Sequence, residues 1–585
     1  MRRKSLFSLF MLSMGVALLV AAMTVGTAAA SHKAQAKKGG TLIVTQAGTP
    51  FDTLDPQLSY VSNDWGLLYN TQLLLLNLPT KGGPAGLRLI PQAAKSFPTV
   101  SKSGKVYTFH IRKGLRFNNG TKVTAKNFQR AFERNLSPKM FAQYGIFDGL
   151  DVFLKGGQAF AESGDFAHDS NGGCGSGAGP KCSLHPPTHI SGIKAKGLTL
   201  RITLTKRVPQ FESIVGMQWF SAIPANMPYS NRQSGILKYA SAGPYYIKSN
   251  NLTSLTVLKR NKHFPKSLLK NWPANSSTII VKSYPTSNGD PQLLQAERNQ
   301  VDIAGVPSQD VAKTIKKYHV NKGRFHVGPT TCITWNALNT KSANGTTASV
   351  QVRKALNYAV SRNAIINFAG PLSGAPSDQI LVPAIPGYKK FNTYPAAGNF
   401  NKAKQVGGSR LNGAKLVIYY RPSSVYQTNV AEYIEAQATK LGMKPSLQQS
   451  DPSSFYGPLE TKSTALGPNG YNITAFGGWC ADYPDGYDYF NVNFDGRTIG
   501  DTGNVDYMYF NNTKFDAMMD KAAAATGAKR ASLYGALDKV FMNNYAPLIP
   551  TQVGNTRILT SNRVHNWLYS KWWGQPFWNK LTVSK

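Results

Sequence analysis

The sequence predicts a mixed α/β protein with more than one lobe, and three observations support this. The chain has 585 residues, 42% of them hydrophobic, which is more than one small domain needs for its core. Segments with strand patterns and segments with helix patterns both occur along its length. Residues 414–449 have the pattern of strand, helix and strand, and such a crossover joins parallel strands that are covered by helices.

The first half contains three predicted strands and one predicted helix. Residues 40–44 are a short apolar run typical of a buried strand, and apolar and polar residues alternate over 107–111, as in a half-buried strand. Thr124 is placed to cap a helix with one apolar face. Residues 198–204 predict another strand. Residues 165–187, rich in Gly, Ser, Asn and Pro, predict an inserted loop.

The second half is richer in helices. Apolar residues recur at helical spacing over 351–367, which predicts one amphipathic helix. Residues 414–420 and 444–449 are predicted strands, and the helix between them, 430–441, is predicted to end at Gly442, a good left-handed cap. Two further helices are predicted around Phe515 and Leu537.

The charge balance is unusual because acids are scarce. The chain has 66 Lys and Arg against 28 Asp and Glu, a net charge of +38. A nucleic-acid site would cluster bases with aromatic residues on one element, whereas these bases are scattered over the whole length. The composition therefore argues against a nucleic-acid partner and favours non-specific attraction to an anionic cell envelope.

The first 30 residues have the order of a signal peptide. A basic start, Arg2-Arg3-Lys4, precedes an apolar run over 6–25 and then Ala28-Ala29-Ala30, which is typical of export with cleavage after Ala30. A retained membrane anchor is the alternative, and Sec and twin-arginine export both stay open. Residues 31–40 are predicted to be a basic, mobile tail. We expect a protein of the periplasmic space or the outer face of the cytoplasmic membrane, without a lipid anchor.

Four cysteines in an exported chain predict two disulfides. Three connectivities are possible. Cys174 and Cys182 lie eight positions apart in the Gly-rich loop and can meet, which would leave Cys332 with Cys480. A zinc site made of Cys174, Cys182, His185 and His189 is the alternative for that loop, although the spacing fits no common zinc finger.

The sequence carries none of the common catalytic signatures. It has no Gly-x-Ser-x-Gly, no His-Glu-x-x-His and no phosphate-binding P-loop. Asp482 with Asp485, or with Asp488, is a candidate carboxylate pair for glycoside hydrolysis, but acids in such a Pro/Gly turn more often serve the turn itself. We therefore predict a protein that is not an enzyme and has no cofactor.

Nine segments occur in the order found in one transport family. They include Leu54-Asp55-Pro56, the stretches 107–114 and 117–128, Val352-Arg353-Lys354-Ala355-Leu356, and Gly478-Trp479-Cys480-Ala481-Asp482-Tyr483-Pro484; the others are 38–42, 242–245, 259–261 and 546–550. Together they resemble the extracellular solute-binding proteins of family 5, the periplasmic oligopeptide- and dipeptide-binding proteins of ATP-binding cassette importers. The resemblance spans about residues 38–570. Asn127 and Ser361 stand where the family often has Asp.

The resemblance implies a two-lobed periplasmic-binding-protein-like fold, with hinge-linked mixed sheets and an extra subdomain on the first lobe. We expect the first lobe to comprise 41–331 and 553–585, with an inserted subdomain at 73–196, and the second lobe to comprise 332–552. Cys332 and Cys480 match a pair that is bridged in similar proteins. The implied function is delivery of peptides, by a monomer, to a membrane permease that a partner ATPase drives.

The resemblance also implies a ligand-binding set. Asp482 matches the carboxylate that receives the peptide's ammonium group, Trp479 the wall of that pocket, and Tyr60 and Ser62 the cleft near the ligand's first residues. Phe141 and Tyr144 lie near the subdomain's ligand-facing segment, and Phe476 stands where similar proteins have an arginine for the peptide's carboxylate. Asp482 as a turn residue and Trp479 as a core residue are the alternatives.

Two other functions compete with peptide delivery. An oligosaccharide or metal-chelate receptor of the same fold is one, with an aromatic end that would stack on sugars: Trp567, Trp572, Trp573, Phe577 and Trp578. The other is a cationic structural or adhesive protein of the cell envelope. The two classes differ in prediction, because a receptor saturates with a small solute and an adhesive protein does not.

Overall fold

The structure is a computed structural model that describes residues 39–47, 53–60, 62–140, 149–163, 188–229, 239–251, 254–284, 291–451 and 454–584, without the side chains of residues 62 and 63. The predicted signal peptide 1–30, most of the basic tail and the whole 165–187 loop lie outside the described residues. The predictions for those segments are therefore untested.

The described strands fall into one large sheet and several small ones. In chain order they are β1 (Thr41–Ala47), β2 (Leu76–Asn77), β3 (Ile90–Pro91), β4 (Thr99–Val100), β5 (Val106–His110), β6 (Ile193–Lys196), β7 (Thr199–Thr203), β8 (Tyr245–Asn251), β9 (Leu255–Arg260), β10 (Thr278–Tyr284), β11 (Ile303–Gly305), β12 (Phe325–Ala337), β13 (Gly374–Pro376), β14 (Lys415–Tyr420), β15 (Lys444–Gln449), β16 (Ile473–Thr474), β17 (Gly477–Cys480), β18 (Leu548–Thr560), β19 (Val564–His565), β20 (Tyr569–Ser570), β21 (Gln575–Pro576) and β22 (Thr582–Val583).

The longer described helices lie mostly in the second half of the chain. In chain order the α-helices are α1 (Ser62–Thr71), α2 (Ala125–Leu136), α3 (Leu150–Phe153), α4 (Gly157–Ala161), α5 (Phe211–Ile214), α6 (Pro291–Glu297), α7 (Val311–Tyr318), α8 (Val350–Ala359), α9 (Arg362–Phe368), α10 (Phe400–Gly407), α11 (Val425–Lys440), α12 (Gly457–Glu460), α13 (Lys462–Ala465), α14 (Gly486–Asn493), α15 (Thr513–Ala524) and α16 (Gly527–Val540).

The two longest strands, β12 and β18, lie side by side in the large sheet and pass from the first predicted lobe into the second. The sheet order is β17-β12-β18-β11-β1-β10-β9-β8, with β13 beside β18. The antiparallel ladder between β12 and β18 shifts register between Pro329 and Ile333, where proline cannot donate a backbone hydrogen bond. An interrupted ladder is easier to bend than a continuous one. The predicted lobe boundaries, 331/332 and 552/553, fall at this interruption.

The second lobe has a small parallel sheet of its own. β14 lies between β15 and β16, parallel to both, and α11 is the helical crossover from β14 to β15. The prediction for 444–449 is confirmed with the same bounds. The carboxyl ends of the three strands share one edge, and β16 runs from that edge directly into β17 of the large sheet.

A separate four-stranded sheet, in the order β4-β5-β7-β6, lies within residues 99–203. Its strand β7 ends at Thr203, so this sheet extends beyond position 196, where we expected the inserted subdomain to end. The subdomain core includes Phe109, Phe128 and Ile202, all fully buried.

Two helix predictions were wrong in their bounds, and serine caps are the reason for both. Residues 351–367 form two helices, because Val360 is extended and the Ser361 side chain accepts the backbone N–H of Ala364, which starts α9. Helix α11 starts at Val425 rather than at 430, because Ser424 caps it by accepting the N–H of Gln427. In the described part of the chain, no helix combines the length and the apolar character of a membrane span.

Candidate functional site

The candidate site lies where the edge strand β17 ends. β17 pairs antiparallel with β12, so that Cys480 lies opposite Cys332, and the two form a disulfide with Cα atoms 3.9 Å apart. The pairing of Cys332 with Cys480 is therefore confirmed. Asp482 follows two residues later and is 7% exposed, so it lies close to the covalent link that joins the edge strand β17 to β12.

Tyr60 reaches Asp482 from a distant part of the chain. The Tyr60 hydroxyl donates to Asp482 Oδ2 at 3.4 Å, across a sequence separation of 422. Tyr60 belongs to the first predicted lobe and Asp482 to the second. The contact thus brings two residues of the predicted ligand-binding set together across the lobes.

Aromatic rings hold Tyr60 in place. Its ring stacks on Trp219 with centroids 5.4 Å apart and meets the edge of Trp65 at 6.5 Å. Trp219 Nε1 in turn donates to the carbonyl of Ser59 at 2.8 Å, which fixes the backbone just before Tyr60. This side of the site is a rigid aromatic wall with the Tyr60 hydroxyl at its tip.

The turn after Asp482 is held from within. The backbone N–H of Asp482 donates to Asp488 Oδ2 at 3.0 Å, and Asp488 lies fully buried on α14. The neighbouring Tyr489 donates its hydroxyl to the carbonyl of Thr331, next to the disulfide. Burial, and then the charges of Asp488 and Asp482, hold the pKa of Tyr489 well above its ordinary value, so this hydroxyl remains a donor at any physiological pH.

Trp479 is half-buried and packs against the core of the second lobe. It lies opposite Ile333 in the β12–β17 ladder. Its ring nitrogen Nε1 is buried and has no hydrogen-bond acceptor among the described residues. The packing agrees with the core alternative for Trp479, and the buried donor agrees with a role at the ligand.

Phe476 has no charged group that could bind a peptide's carboxylate, unlike the arginine that the resemblance implies at this position. Its ring meets the edge of Tyr426 at 6.4 Å and packs against the aromatic cluster around Phe455. Because Tyr419 of β14 lies beside Thr474 of β16, the residue after β14, Arg421, lies at about the same level as Phe476. An arginine is therefore present at this edge, but on the neighbouring strand.

Arg421 is a candidate ligand residue that our sequence analysis missed. Its guanidinium lies over the rings of Phe455 and Tyr456, at 5.0 and 5.9 Å from their centroids. Its Nε atom is buried and finds no acceptor among the described residues. The available signal was topological, because ligands of α/β sheets bind outside the carboxyl ends of the parallel strands, and Arg421 is the first residue after β14.

Several predicted residues are not placed. Phe141, Tyr144, Cys174 and Cys182 lie outside the described residues, as does the side chain of Ser62, although its backbone begins α1. Of the zinc alternative only His189 is described, and its Nδ1 lies 2.8 Å from Glu133 Oε1. Among the described residues, no group of three or more His, Cys, Asp or Glu is arranged to hold a metal ion.

Most of the aromatic chain end packs inside the protein. Trp572, Phe577 and Trp578 are at most 5% exposed, Trp573 meets the edge of Trp65 at 6.2 Å, and Trp567 stacks on His326. The three buried rings have no free face for a sugar. This removes three of the five residues on which the oligosaccharide alternative depended, while Trp567 and Trp573 are partly exposed.

Comparisons with known proteins agree with this architecture. A family model described as "Bacterial extracellular solute-binding proteins, family 5 Middle" matches residues 88–501. The oligopeptide-binding protein OppA of Bacillus subtilis strain 168 is 22% identical over 546 residues, 90% of each chain. The probable D,D-dipeptide-binding periplasmic protein DdpA of Escherichia coli K12 is 24% identical over 555 residues, 93% of this chain and 94% of its own.

A solved structure extends the likeness to the fold. The clavulanic acid biosynthesis oligopeptide binding protein 2 aligns with a TM-score of 0.79 at 20% identity, covering 94% of this chain and 96% of that one. At this level of identity the match concerns the fold alone, and that fold has two lobes.

Proposed function

This chain belongs to the bacterial extracellular solute-binding proteins of family 5, and from that premise we propose that it binds short peptides between its lobes and delivers them to an ATP-binding cassette permease. The observation that carries the proposal is the meeting of Tyr60 and Asp482. A receptor for varied peptides has to bind what all peptides share, namely the main chain and the charged ends.

Asp482 is proposed to receive the ligand's α-ammonium group. An ammonium ion leaves water only where a carboxylate compensates its charge, and the side chain of Asp482 is nearly buried. The Tyr60 hydroxyl, a neutral donor, orients one carboxylate oxygen without competing for the charge. The disulfide at Cys480 holds the end of β17, just before Asp482, against β12.

Arg421 is proposed to bind the ligand's carboxylate. It would take the role of the arginine that the resemblance implies at position 476, where this chain has Phe476. Its guanidinium has a buried donor and aromatic support, and arginine suits a carboxylate because its N–H groups form a planar fork. Phe476 and Asp482 are six positions apart, so their backbones are at most about 21 Å apart. Neighbouring strands add about 5 Å, so the two backbones are at most about 26 Å apart, the length of an extended peptide of about seven residues.

The chain is proposed to act without catalysis. Closure of the two lobes around the solute and release at the permease require no chemistry from this chain, since a partner ATPase supplies the energy. Turnover of a peptide or glycoside by the purified protein would contradict this part of the proposal.

We further propose export and retention at the envelope by charge. Among the described residues the buried charged side chains are mostly acids: Asp55, Asp64, Glu133, Asp302, Asp378, Asp482, Asp488, Asp495, Asp506, Asp516 and Asp538, against Arg134, Arg353, Arg362 and Arg530. The excess positive charge is therefore concentrated on the surface, where salt screens it. Retention that persists unchanged in high salt would contradict this mechanism.

The test of the peptide proposal uses one short peptide in four forms: free, N-acetylated, C-amidated and blocked at both ends. Calorimetry should find the free form tightest, a large loss on acetylation and a smaller loss on amidation. Equal affinity for the free and acetylated forms would contradict the role of Asp482. Stabilisation of the protein by an oligosaccharide or a metal chelate, and by no peptide, would favour the alternative receptor.

A further inference from the structure

A second contact joins the lobes away from Tyr60. The segment after β7 carries Gln210, which is 3% exposed and lies just before α5 of the first lobe. Arg530 Nη2, on α16 of the second lobe, donates to Gln210 Oε1 at 3.1 Å, across 320 positions of sequence. We call this hydrogen bond, together with the edge-to-face contact of Phe153 and Tyr487 at 6.4 Å, the outer interlobe contact.

Arg530 is held firmly before Gln210 meets it. Its guanidinium binds Asp485 through two hydrogen bonds, Nε to Oδ2 at 2.8 Å and Nη2 to Oδ1 at 2.9 Å, and Nη1 donates to the carbonyl of Ala523. The charge of Arg530 is thus neutralised within the second lobe. A neutral amide oxygen from the first lobe adds a hydrogen bond without disturbing that balance.

A cavity of about 430 Å³ lies beside the contact, between the predicted lobes. Lys206 and Gln210 are among the residues that line it from the first lobe, and Asp495, Arg497 and Asp520 are among those from the second. A cavity of this size with charged side chains in its lining accommodates water. The lobes therefore meet at a few side chains here, not over a dry packed surface, and such a contact separates readily when the lobes open.

The outer interlobe contact is linked to Asp482, the proposed ammonium-binding residue, through one turn. Asp485 Oδ1 accepts the backbone N–H of Tyr487 and so caps α14, and Asp488 of the same helix accepts the N–H of Asp482. Gln210 itself is not among the residues assigned to the ligand.

We propose that Gln210 is a positioning residue for the closed state. Its hydrogen bond to Arg530 forms when the lobes close, so it strengthens the binding of every ligand by the same factor and does not distinguish ligand chemistries. The inference rests on the proposed function, because it requires a ligand that is trapped by closure. Since a conformational contact adds to affinity only through the closed state, the ligand-free stability should not depend on it.

The test compares Gln210→Ala with Gln158→Ala, which removes an exposed glutamine of the first lobe whose side chain donates to Glu162. Calorimetry should find that Gln210→Ala weakens each bound peptide about tenfold, the size expected for a hydrogen bond to a charged donor. The ranking of free, acetylated and amidated peptides should not change, nor should the thermal midpoint of the ligand-free protein, and Gln158→Ala should match the wild type.

Two results would overturn the inference: unchanged peptide affinity in Gln210→Ala, or a lowered thermal midpoint without ligand, which would mark the contact as permanent. If the wild type binds no peptide of the panel, the proposed function fails separately. Gln210 is then tested by the distance distribution between spin labels at Val152 and Val425, both exposed. Fewer short distances in ligand-free Gln210→Ala, which means a smaller minor population of the closed state, would support the inference, and identical distributions would refute it.

Discussion

Replacing Asp482 with asparagine tests the charge of the proposed pocket with little change in its shape. The asparagine keeps the backbone N–H that bonds Asp488 and keeps an oxygen that can accept from Tyr60. Because Asp482 is 7% exposed, a peptide ammonium bound there is largely removed from water. Truncating one partner of such a buried charge pair costs about 2–5 kcal/mol, or about 30-fold to several thousandfold in affinity.

The assay is a double-mutant cycle by calorimetry, with free and N-acetylated forms of one peptide against the wild type and Asp482→Asn. We expect acetylation to weaken binding strongly in the wild type and hardly at all in the variant. Tyr60→Phe is the matched control for the second wall of the pocket. It removes a hydrogen bond at the long limit of 3.4 Å, so its effect should stay below about 1 kcal/mol.

Acetylation that weakens peptide binding as much in Asp482→Asn as in the wild type would refute the proposed ammonium-binding role of Asp482. The free energy of unfolding separates a loss of binding from a loss of folding, because each variant should lose no more than about 1.5 kcal/mol, the contribution of one hydrogen bond. A variant that binds nothing and also unfolds early would show a folding defect instead, and Asp482→Glu, which keeps the charge, would then separate the two causes.

Three further predictions follow from other parts of the fold. Arg421→Gln should weaken peptides with a free carboxylate about tenfold in calorimetry and leave C-amidated peptides unchanged, whereas the exposed Arg410→Gln should alter neither; equal losses for both peptide forms would contradict the carboxylate role. The double variant Cys332→Ser with Cys480→Ser should lose about 4–5 kcal/mol of unfolding free energy in a denaturant titration, since the bridge spans a sequence separation of 148, and a loss below about 1 kcal/mol would contradict this account. Burial raises the pKa of Asp538 to about 7 from 3.8, so its contribution to stability is fully present below pH 4 and is lost as the pH rises through 7; Asp538→Asn should flatten the decline of the thermal midpoint over that range, and an unchanged slope would count against it.

The local elements were largely predictable, because their signals are local. The strand 444–449 and the crossover before it follow from apolar patterns and from Gly442, whose φ is +85°. Asn127, which differs from the family's usual Asp, still serves the predicted cap, since its Oδ1 accepts the N–H of Thr124 at 2.7 Å. Single capping residues were harder to predict: Ser361 and Ser424 changed helix bounds that periodicity alone had placed elsewhere.

The site was predictable only in part, because its residues meet over long sequence separations. Asp482 and the Cys332–Cys480 bridge came from a motif, and motifs preserve local spacing. The contact of Tyr60 with Asp482 and that of Gln210 with Arg530 span 422 and 320 positions, which no periodicity encodes. Arg421 was missed because its importance depends on which strands lie side by side.

The most direct measurement is a crystal structure of the chain with its co-purified or added free peptide. We expect the peptide to lie between the lobes, with its terminal nitrogen about 3 Å from the Asp482 carboxylate and next to the Tyr60 hydroxyl. A peptide whose terminal nitrogen lies in solvent, or a ligand bound away from Asp482, would contradict it.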